Sequence, residues 1–307
     1  MSTGGRRTFP LVPRRRLTGP PFGDLPSRRR GRGSDIIGAR PYQGGDPIAS
    51  IDWFASARAS SATGGDEFVV RDHAADEAAR VVIVVDRRPA MGLYPPTLPW
   101  LSKRDALREA VAAIAGSAAA ARADIAALDF AEGEPYWLPP GRNDRQWELV
   151  ERANGATPFL APEDTLERAL AFLVEHRTSV PPATFVFVLS DFLAPPAPSV
   201  WQDAAARGWD AVPVVIQDPV WERSFPDVGG VAVPVADPRT GHVVLVRLSG
   251  QQVRRRREQH QRRHDALLAQ LASFGVEPVE VTESDPAAVD DAFIAWAEER
   301  RLRRWAR

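Results

Sequence analysis

The stretch Val81-Val82-Ile83-Val84-Val85, which ends at Asp86, decides the fold of this 307-residue chain. A continuous run of β-branched residues predicts a strand that is buried on both faces, as is typical of parallel sheets. A helix is predicted next, with Ser102 as its N-cap and with apolar residues from Leu107 to Ala118 at spacings of four, three and four. The strand and the helix together predict the first half of a βαβ unit.

The alternation of strands and helices continues toward the C-terminus. Prolines beside residues 136–138 indicate an edge strand there. The alternation predicts an α/β fold whose sheet is six-stranded, doubly wound and mostly parallel. The further predicted strands are residues 125–130, 136–138, 185–189, 212–216 and 276–281. Two helices are predicted to start at capping boxes on Asn143 and Asp164. Three more are predicted at residues 201–207, 251–274 and 286–305.

Three regions are predicted along the chain. Residues 1–33 contain nine Arg and a single acid, with little apolar periodicity, and they predict a disordered arm. Residues 34–80 predict a small β-rich lobe with a strand at Phe68-Val69-Val70. Residues 81–307 predict the α/β domain, and two Val-rich runs around Asp237-Pro238-Arg239-Thr240-Gly241 predict a hairpin inserted at about 228–249.

Composition excludes several classes of protein. The chain has no cysteine, so it has no disulfide scaffold, thiolate zinc site or cysteine nucleophile. No apolar run reaches about 18 residues, so no membrane span is predicted, and the basic N-terminus lacks the apolar core of a secretory signal. We therefore expect a cytoplasmic protein. The oligomeric state does not follow from the sequence.

The strand-end aspartates have two interpretations. Asp86 and Asp191 each end a buried strand and Thr165 begins a helix, so their oxygens would converge at the carboxyl edge of the sheet and suit Mg²⁺. Alternatively, both aspartates cap the helices that follow their strands.

His260 and His264 share a helical face, but the arginines around them disfavour a dication and indicate solvated surface.

Familiar enzyme signatures are missing from the sequence. It contains no G-x-x-x-x-G-K-[ST] loop, no G-x-G-x-x-G after a strand and no G-x-S-x-G elbow. We therefore expect a protein that is not an enzyme and uses no cofactor, with Mg²⁺ as the alternative. Nucleic-acid or anionic-surface binding through the arginines of residues 1–33 is a second functional hypothesis. Only Phe9 and Phe22 lie among those arginines, which argues against a nucleic-acid partner.

A dense motif lies in the predicted lobe. It consists of Arg40-Pro41-Tyr42-Gln43-Gly44-Gly45-Asp46, then Ile51-Asp52-Trp53 and Ala57-Arg58. This pattern resembles the signature of the bacterial DUF 58 family, and later features agree with it, namely Asp218-Pro219 with Glu222, and Asp237 with Thr240-Gly241. The motif would be structural if Asp52 pairs with Arg58 and Trp53 packs the lobe onto the sheet. The alternative is a surface that a partner contacts.

The resemblance implies a von Willebrand factor A-like domain. In that fold a metal-ion-dependent adhesion site uses D-x-S-x-S after the first strand, a Thr on a second loop and an Asp after the fourth strand. Asp86, Thr165 and Asp191 match these positions, but Arg88 and Ala90 replace both serines. An Arg88 guanidinium paired with Asp86 or Asp191 would neutralise the site without a metal. The resemblance therefore implies a degenerate adhesion site that binds no metal.

The resemblance also implies a function. Proteins of this family resemble partners of MoxR-type AAA+ ATPases, which predicts a non-enzymatic adaptor in complex assembly or maturation. The predicted partner-binding surface is the degenerate site, formed by Asp86, Arg88, Ala90, Thr165 and Asp191. Arg88 would there hold a carboxylate of the partner in a bidentate fork.

Overall fold

The computed structural model describes residues 6–14, 25–44, 46–65, 67–77, 79–93, 101–141, 146–154, 157–237, 240 and 242–305. The chain divides into two units, a larger one formed by residues 1–14 with 80–307 and a smaller one formed by residues 15–79. The strands are β1 Leu25–Pro41, β2 Val69–Glu77, β3 Arg80–Val85, β4 Asp124–Asp129, β5 Tyr136–Gly141, β6 Phe185–Ser190, β7 Asp210–Ile216, β8 Ala232–Ala236, β9 Val243–Arg247 and β10 Val279–Val281. The helices are α1 Trp53–Thr63, α2 Lys103–Ala120, α3 Gln146–Asn154, α4 Thr165–Glu175, α5 Pro198–Ala206, α6 Gly250–Ser273 and α7 Pro286–Trp305.

Six strands form the central sheet of the larger unit. Their order across the sheet is β10-β7-β6-β3-β4-β5, and every pair is parallel except that of β4 with β5. The chain order reverses between β3 and β6, which makes this point the switch point of a doubly wound sheet. The predicted α/β fold with a six-stranded, mostly parallel sheet is confirmed, and the predicted edge strand at residues 136–138 lies in β5.

Continuous apolar sequence explains the centre of this sheet. Every residue of β6 and β7 is buried, and β3 is buried from Val81 onward. Side chains alternate between the two faces, because successive residues of a strand point in opposite directions. Val186 packs in the cluster that includes side chains of α4 and α5, whereas Phe187 contacts Phe9 and Phe293 on the other face.

Residues 6–14 pack against the rest of the larger unit, which differs from the disordered arm that the sequence predicts for residues 1–33. The ring of Phe9 stacks on Phe293 with centroids 4.8 Å apart and meets Trp296 edge-on at 6.0 Å. Leu11 and Val12 are buried as well. These three apolar side chains bury enough surface to order a segment whose composition alone is unfavourable.

The arginines of the same segment are paired with acids of the larger unit. Arg6 contacts Glu109 at 2.8 Å and Asp290 at 3.0 Å, and Arg14 contacts Asp210 at 3.2 Å. These acids are far away along the chain, so a local count of charge cannot detect them. Of the rest of the predicted arm, residues 25–33 lie in β1, and residues 1–5 and 15–24 lie outside the described residues.

The predicted helix caps have mixed outcomes. The hydroxyl of Ser102 accepts a hydrogen bond from the N–H of Asp105 at 3.3 Å, which confirms the N-cap of α2. The capping box predicted at Asp164 is wrong. Asp164 makes no capping hydrogen bond, and its carboxylate pairs with Arg168 at 2.8 Å instead. The box predicted at Asn143 lies outside the described residues.

Two small antiparallel sheets complete the described fold. In the smaller unit β1 pairs with β2, and α1 contacts β2 where the N–H of Val69 donates to the Ser56 hydroxyl at 2.8 Å. In the larger unit β8 pairs with β9, which confirms the predicted hairpin. Residues 238, 239 and 241 of its predicted turn lie outside the described residues. Within the described chain, no helix combines the length and the apolar character needed to cross a bilayer.

Candidate functional site

Asp86 and Asp191 lie side by side at the carboxyl edge of the central sheet. They follow β3 and β6, which are parallel neighbours with Val85 opposite Leu189. The N–H of Asp86 donates to the carbonyl of Leu189 at 2.9 Å and so extends the ladder past the strand end. Both aspartates are at most 1% exposed. A carboxylate buried to that degree requires a cation or several hydrogen-bond donors.

Arg88 supplies the cation for Asp86. Its Nη2 donates to Oδ2 of Asp86 at 2.6 Å, and its Nε lies 2.9 Å from Oδ2 and 3.1 Å from Oδ1. The hydroxyl of Ser190 donates to the same Oδ2 at 2.7 Å, and Nη1 of Arg88 donates to the carbonyl of Ala194 at 3.0 Å. The predicted pairing of Arg88 with Asp86 is therefore present, and Nη2 also lies 3.9 Å from Asp191.

Lys103 supplies the cation for Asp191. Its Nζ donates to Oδ2 of Asp191 at 2.8 Å, pairs with Glu222, and donates to the carbonyl of Ala90 at 3.3 Å. The side chain of Lys103 is 1% exposed, although it begins a helix whose N-terminus disfavours cations. We call Asp86, Arg88, Lys103, Asp191 and Glu222 the strand-end cluster.

Burial and charge act against each other in the strand-end cluster. Burial acts to lower the pKa of Lys103, but Asp191 and Glu222 outweigh it, so this pKa rises above its usual range. Burial also opposes the charge of Arg88, yet the hydrogen bonds to Asp86 leave its pKa raised. Burial raises the pKa of Glu222, because the charge of Lys103 offsets the desolvation only in part. Both cations therefore stay protonated.

The turn after β7 positions the lysine. Oδ1 of Asp218 accepts from two backbone N–H groups of that turn at 2.8 and 2.9 Å. Its Oδ2 accepts from the N–H of Leu101 at 3.1 Å, two residues before Lys103. Glu222 accepts from the N–H of Asp218 at 2.9 Å and pairs with Lys103. The family feature Asp218-Pro219 with Glu222 thus holds the start of α2 at the strand ends.

The two strand-end aspartates also close turns of their own. Oδ1 of Asp86 accepts from the N–H of Arg88 at 2.9 Å, and Oδ1 of Asp191 accepts from the N–H of Leu193 at 3.0 Å. This differs from the predicted capping, because neither turn begins an α-helix. The hydrogen bonds remain local, between residues two positions apart.

The donor set of this site does not fit a divalent cation. The oxygens of Asp86 and Asp191 that a metal would need accept hydrogen bonds from Arg88, Lys103 and backbone N–H groups. Ala90 contributes only its carbonyl, and it faces Lys103. Thr165 is buried at the start of α4, and within the described residues its hydroxyl makes no hydrogen bond to the cluster. Nor do the described residues contain a group of three or more His, Asp or Glu side chains arranged to hold a metal.

The first half of the family motif forms a local ion pair. The two terminal nitrogens of Arg40 each contact one oxygen of Asp46 at 2.7 Å, and the N–H of Gln43 donates to Asp46 at 2.8 Å. The hydrogen bonds to Arg40 and Gln43 lower the pKa of Asp46 to about 2. Tyr42 is 37% exposed, and Gly45 lies outside the described residues.

The second half of the motif corrects a sequence prediction. Asp52 is the N-cap of α1, and its partner is Arg71 at 2.9 Å, not the predicted Arg58. Arg58 lies one helical turn after Phe54 in α1, and its Nε donates to the carbonyl of Phe54 at 3.4 Å. Trp53 is 60% exposed and meets Phe68 edge-on at 6.1 Å, a contact within the smaller unit.

The two histidines of α6 are not solvated surface, which corrects the sequence interpretation. Nδ1 of His260 lies 3.0 Å from the carbonyl of Trp221 and 2.8 Å from that of Ser224. Nδ1 of His264 lies 2.9 Å from the side-chain oxygen of Gln217. Burial lowers the pKa of both histidines. Their role is to fasten α6 to the segment that follows β7.

Sequence reasoning missed Lys103, although a signal for it existed. It is the only lysine in a chain that otherwise uses arginine for positive charge. The planar guanidinium of arginine suits bidentate pairing with one carboxylate, whereas the ammonium of lysine is a compact point charge with three donors, which here contact Asp191, Glu222 and the Ala90 carbonyl. Ser190 was missed as well, because a polar residue commonly ends an apolar strand and nothing in the sequence sets this serine apart.

The chain belongs to the family described as "Protein of unknown function DUF58", whose model matches residues 38–267. The match includes the motif of the smaller unit, the strand-end cluster and most of α6. No curated protein matches the chain.

Several solved structures are similar in part. An aerotolerance-related membrane protein from Bacteroides fragilis, carrying multiple mutations to serine, is 13% identical with a TM-score of 0.46, covering 72% of this chain and 100% of its own. BatB from Bacteroides thetaiotaomicron is 16% identical with a TM-score of 0.42 and the same coverage. The pilus adhesin SpaC from Lactobacillus rhamnosus GG is 11% identical with a TM-score of 0.40, covering 73% of this chain and 30% of its own. Likenesses this weak carry no statement about function.

Proposed function

We propose that this protein is a non-enzymatic protein-interaction module whose von Willebrand factor A-like domain carries a degenerate metal-ion-dependent adhesion site. The observation that carries the proposal is the pairing of both strand-end aspartates with buried cations, Asp86 with Arg88 and Asp191 with Lys103. The sheet order supports the domain assignment, because both aspartates lie at the switch point, where α/β sheets bind their ligands.

A scaffold role suits the cluster better than a catalytic one. A reacting carboxylate or lysine needs a free lone pair at the moment of reaction. Here Asp86 and Asp191 accept hydrogen bonds on both oxygens, and Lys103 is held protonated. Shifted pKa values also occur in structural ion networks, so the shifts in this cluster agree with a scaffold.

The absence of a metal cofactor is part of this proposal and is testable. In titration calorimetry with Mg²⁺ and Mn²⁺, the full chain should give no binding heat, because a dication would have to displace Arg88 and Lys103. A saturable heat that Asp86→Ala abolishes would overturn the proposal.

We propose a MoxR-type AAA+ ATPase as the partner, as the family resemblance implies, and a cytoplasmic location for the complex. The contact would involve the loops that carry Asp86, Arg88, Ala90, Thr165 and Asp191. The donors of Arg88 already hold Asp86, and Arg88 is only 5% exposed. A partner carboxylate could therefore reach the Arg88 fork only by displacing Asp86. We accordingly propose that Arg88 positions the loop that the partner contacts.

Binding of the full chain to the purified ATPase, measured by surface plasmon resonance, tests this role. Arg88→Ala leaves Asp86 buried without its cation, so affinity should fall by about tenfold or more. Arg88→Lys keeps the charge and should lose less. Arg152→Ala is the matched control, because Arg152 holds Asp129 at 2.6 Å at the end of β4. Unchanged affinity in a cooperatively melting Arg88→Ala variant would remove the proposal.

The described N-terminal residues do not favour the alternative of anionic-surface binding. Arg6, Arg7 and Arg14 each pair with an acid of the larger unit, so their charge is already compensated. Binding to phosphates requires arginines that are free to neutralise them, because that neutralisation releases the counterions held by the nucleic acid.

A further inference from the structure

The β8–β9 hairpin exposes an apolar surface that the strand-end cluster does not use. On one face Leu245 is 71% and Val243 57% exposed, and on the other face Val235 and Val244 are each 49% exposed. The hairpin is a separate two-stranded sheet, and neither strand pairs with a third strand among the described residues. Exposed apolar side chains beside an unpaired strand edge favour pairing with another chain.

The two outer edges of the hairpin differ in the backbone hydrogen-bonding groups that they expose. The N–H of Asp237 donates to the carbonyl of His242 at 2.9 Å, and these residues are opposite each other in the register. Hydrogen-bonded pairs alternate along an antiparallel ladder, so the pair of Pro234 with Leu245 is a non-hydrogen-bonded one. The nitrogen of Pro234 therefore lies on the outer edge of β8, where proline removes a donor. On the outer edge of β9, the N–H and C=O groups of Val243 and Leu245 pair with no strand in the part of the chain that the structure describes.

The segment that follows β9 in the chain is strongly basic. Residues 247–263 contain seven arginines and one glutamate. Arg254, Arg255 and Arg256 are exposed, and none of them forms an ion pair within the described residues. The start of α6 lies at the base of the hairpin, because Val246 and Val253 pack in one apolar cluster. Charge and apolar surface are therefore presented next to each other.

We propose that β9 binds an extended partner segment by strand addition, and that this segment is apolar and flanked by acidic residues. Main-chain hydrogen bonds to Val243 and Leu245 would give affinity, and the arginines of α6 would select the charge. A second copy of this chain is disfavoured as the occupant, because it would bring its own arginines to the same edge. The inference rests on the proposed interaction role but uses a different surface.

The test uses the full chain and a fluorescent synthetic peptide, with anisotropy as the readout. The peptide has five β-branched residues with two acidic residues at each end, and the comparison peptide carries lysines in place of the acids. The acidic peptide should bind and the lysine peptide should not. Charge reversal of Arg254, Arg255 and Arg256 to Glu should weaken acidic-peptide binding by about tenfold or more. Reversal of Arg177, Arg207 and Arg301, which are exposed elsewhere, is the control with the same change in charge and should have little effect.

A second variant tests the edge itself. Leu245→Pro removes an outward-facing N–H and the leucine side chain but no hydrogen bond to β8, and it should abolish binding. Leu245→Thr also removes the leucine side chain but keeps that N–H, and it should retain most of the binding. Equal binding of both peptides, or binding that survives both Leu245→Pro and the α6 charge reversal, would overturn the inference. So would a dimer that depends on β9, or binding to phosphatidylserine vesicles without peptide binding. Peptide anisotropy reports on the β9 edge, whereas surface plasmon resonance with the ATPase reports on the strand-end loops, so failure of this inference is distinguishable from failure of the ATPase contact.

Discussion

Arginine–aspartate pairs occur in both units of the molecule, but in opposite surroundings. In the strand-end cluster the side chains of Arg88 and Asp86 are 6% and 0% exposed, whereas in the smaller unit those of Arg71 and Asp52 are 43% and 17% exposed. Removing one partner of a buried pair leaves an uncompensated charge in a low dielectric. Water and salt screen the exposed pair. The same two residue types therefore maintain the fold in one unit and only adjust local geometry in the other.

The largest effect is expected when Lys103 is removed. Lys103→Met leaves Asp191 and Glu222 buried beside each other without their cation, so the free energy of unfolding should fall by about 3–5 kcal/mol in urea titrations. Burial raises the pKa of Glu222, and protonation relieves an unpaired carboxylate, so the loss should shrink as the pH is lowered. A loss that does not change with pH would contradict this account.

A smaller loss is expected at Arg88. Arg88→Ala should reduce the free energy of unfolding by about 2–3 kcal/mol, because Asp86 keeps its hydrogen bonds from Ser190 and from the backbone. The measurement is again urea unfolding, with Arg152→Ala as a comparison at the neighbouring strand end. A loss of unfolding free energy as small as that expected for an exposed ion pair would mean that the guanidinium of Arg88 does not stabilise Asp86.

The exposed pair sharpens the comparison. Arg71→Ala should change the melting temperature far less than Arg88→Ala, because Arg71 is half exposed and Asp52 keeps its capping bonds from Phe54 and Ala55. Raising the salt concentration should reduce the effect further. If the two variants destabilised the protein equally, burial would not be the property that separates the two regions.

The smallest effect concerns pH in the smaller unit. Hydrogen bonds from Arg71 to Asp52 and from Arg40 to Asp46 lower both pKa values from 3.8 to about 2. Because the pKa of each carboxylate is lower in the folded protein than in the unfolded chain, each pair stabilises the fold above about pH 4. This stabilisation is lost as the pH falls toward 2. Carboxyl-carbon NMR titration should find both values low, and Arg71→Ala should raise the pKa of Asp52 but not that of Asp46. An Asp52 that titrates near 3.8 in the intact protein would contradict the pairing.

Sequence patterns predicted those parts of the molecule whose signals are local. The β-branched run ending at Asp86, the hairpin around residue 237 and the helix from Pro286 to Trp305 all have the extents or types expected. The pairing of Arg88 with Asp86 was also predictable, because the residues are two positions apart. The prediction of Arg58 as the partner of Asp52 was wrong, since β2 brings Arg71 closer.

Hydrophobic periodicity alone predicted the alternation of strands and helices, and with it the α/β fold and the location of two carboxylates at one edge of its sheet. Only the tertiary structure decided which cations reach those carboxylates, because Lys103 and Asp191 are 88 residues apart in the chain. It likewise decided that residues 6–14 are ordered, through contact of Phe9 with Phe293. Periodicity records which face of an element is buried, but pairing between distant charges and rings depends on how the elements pack together.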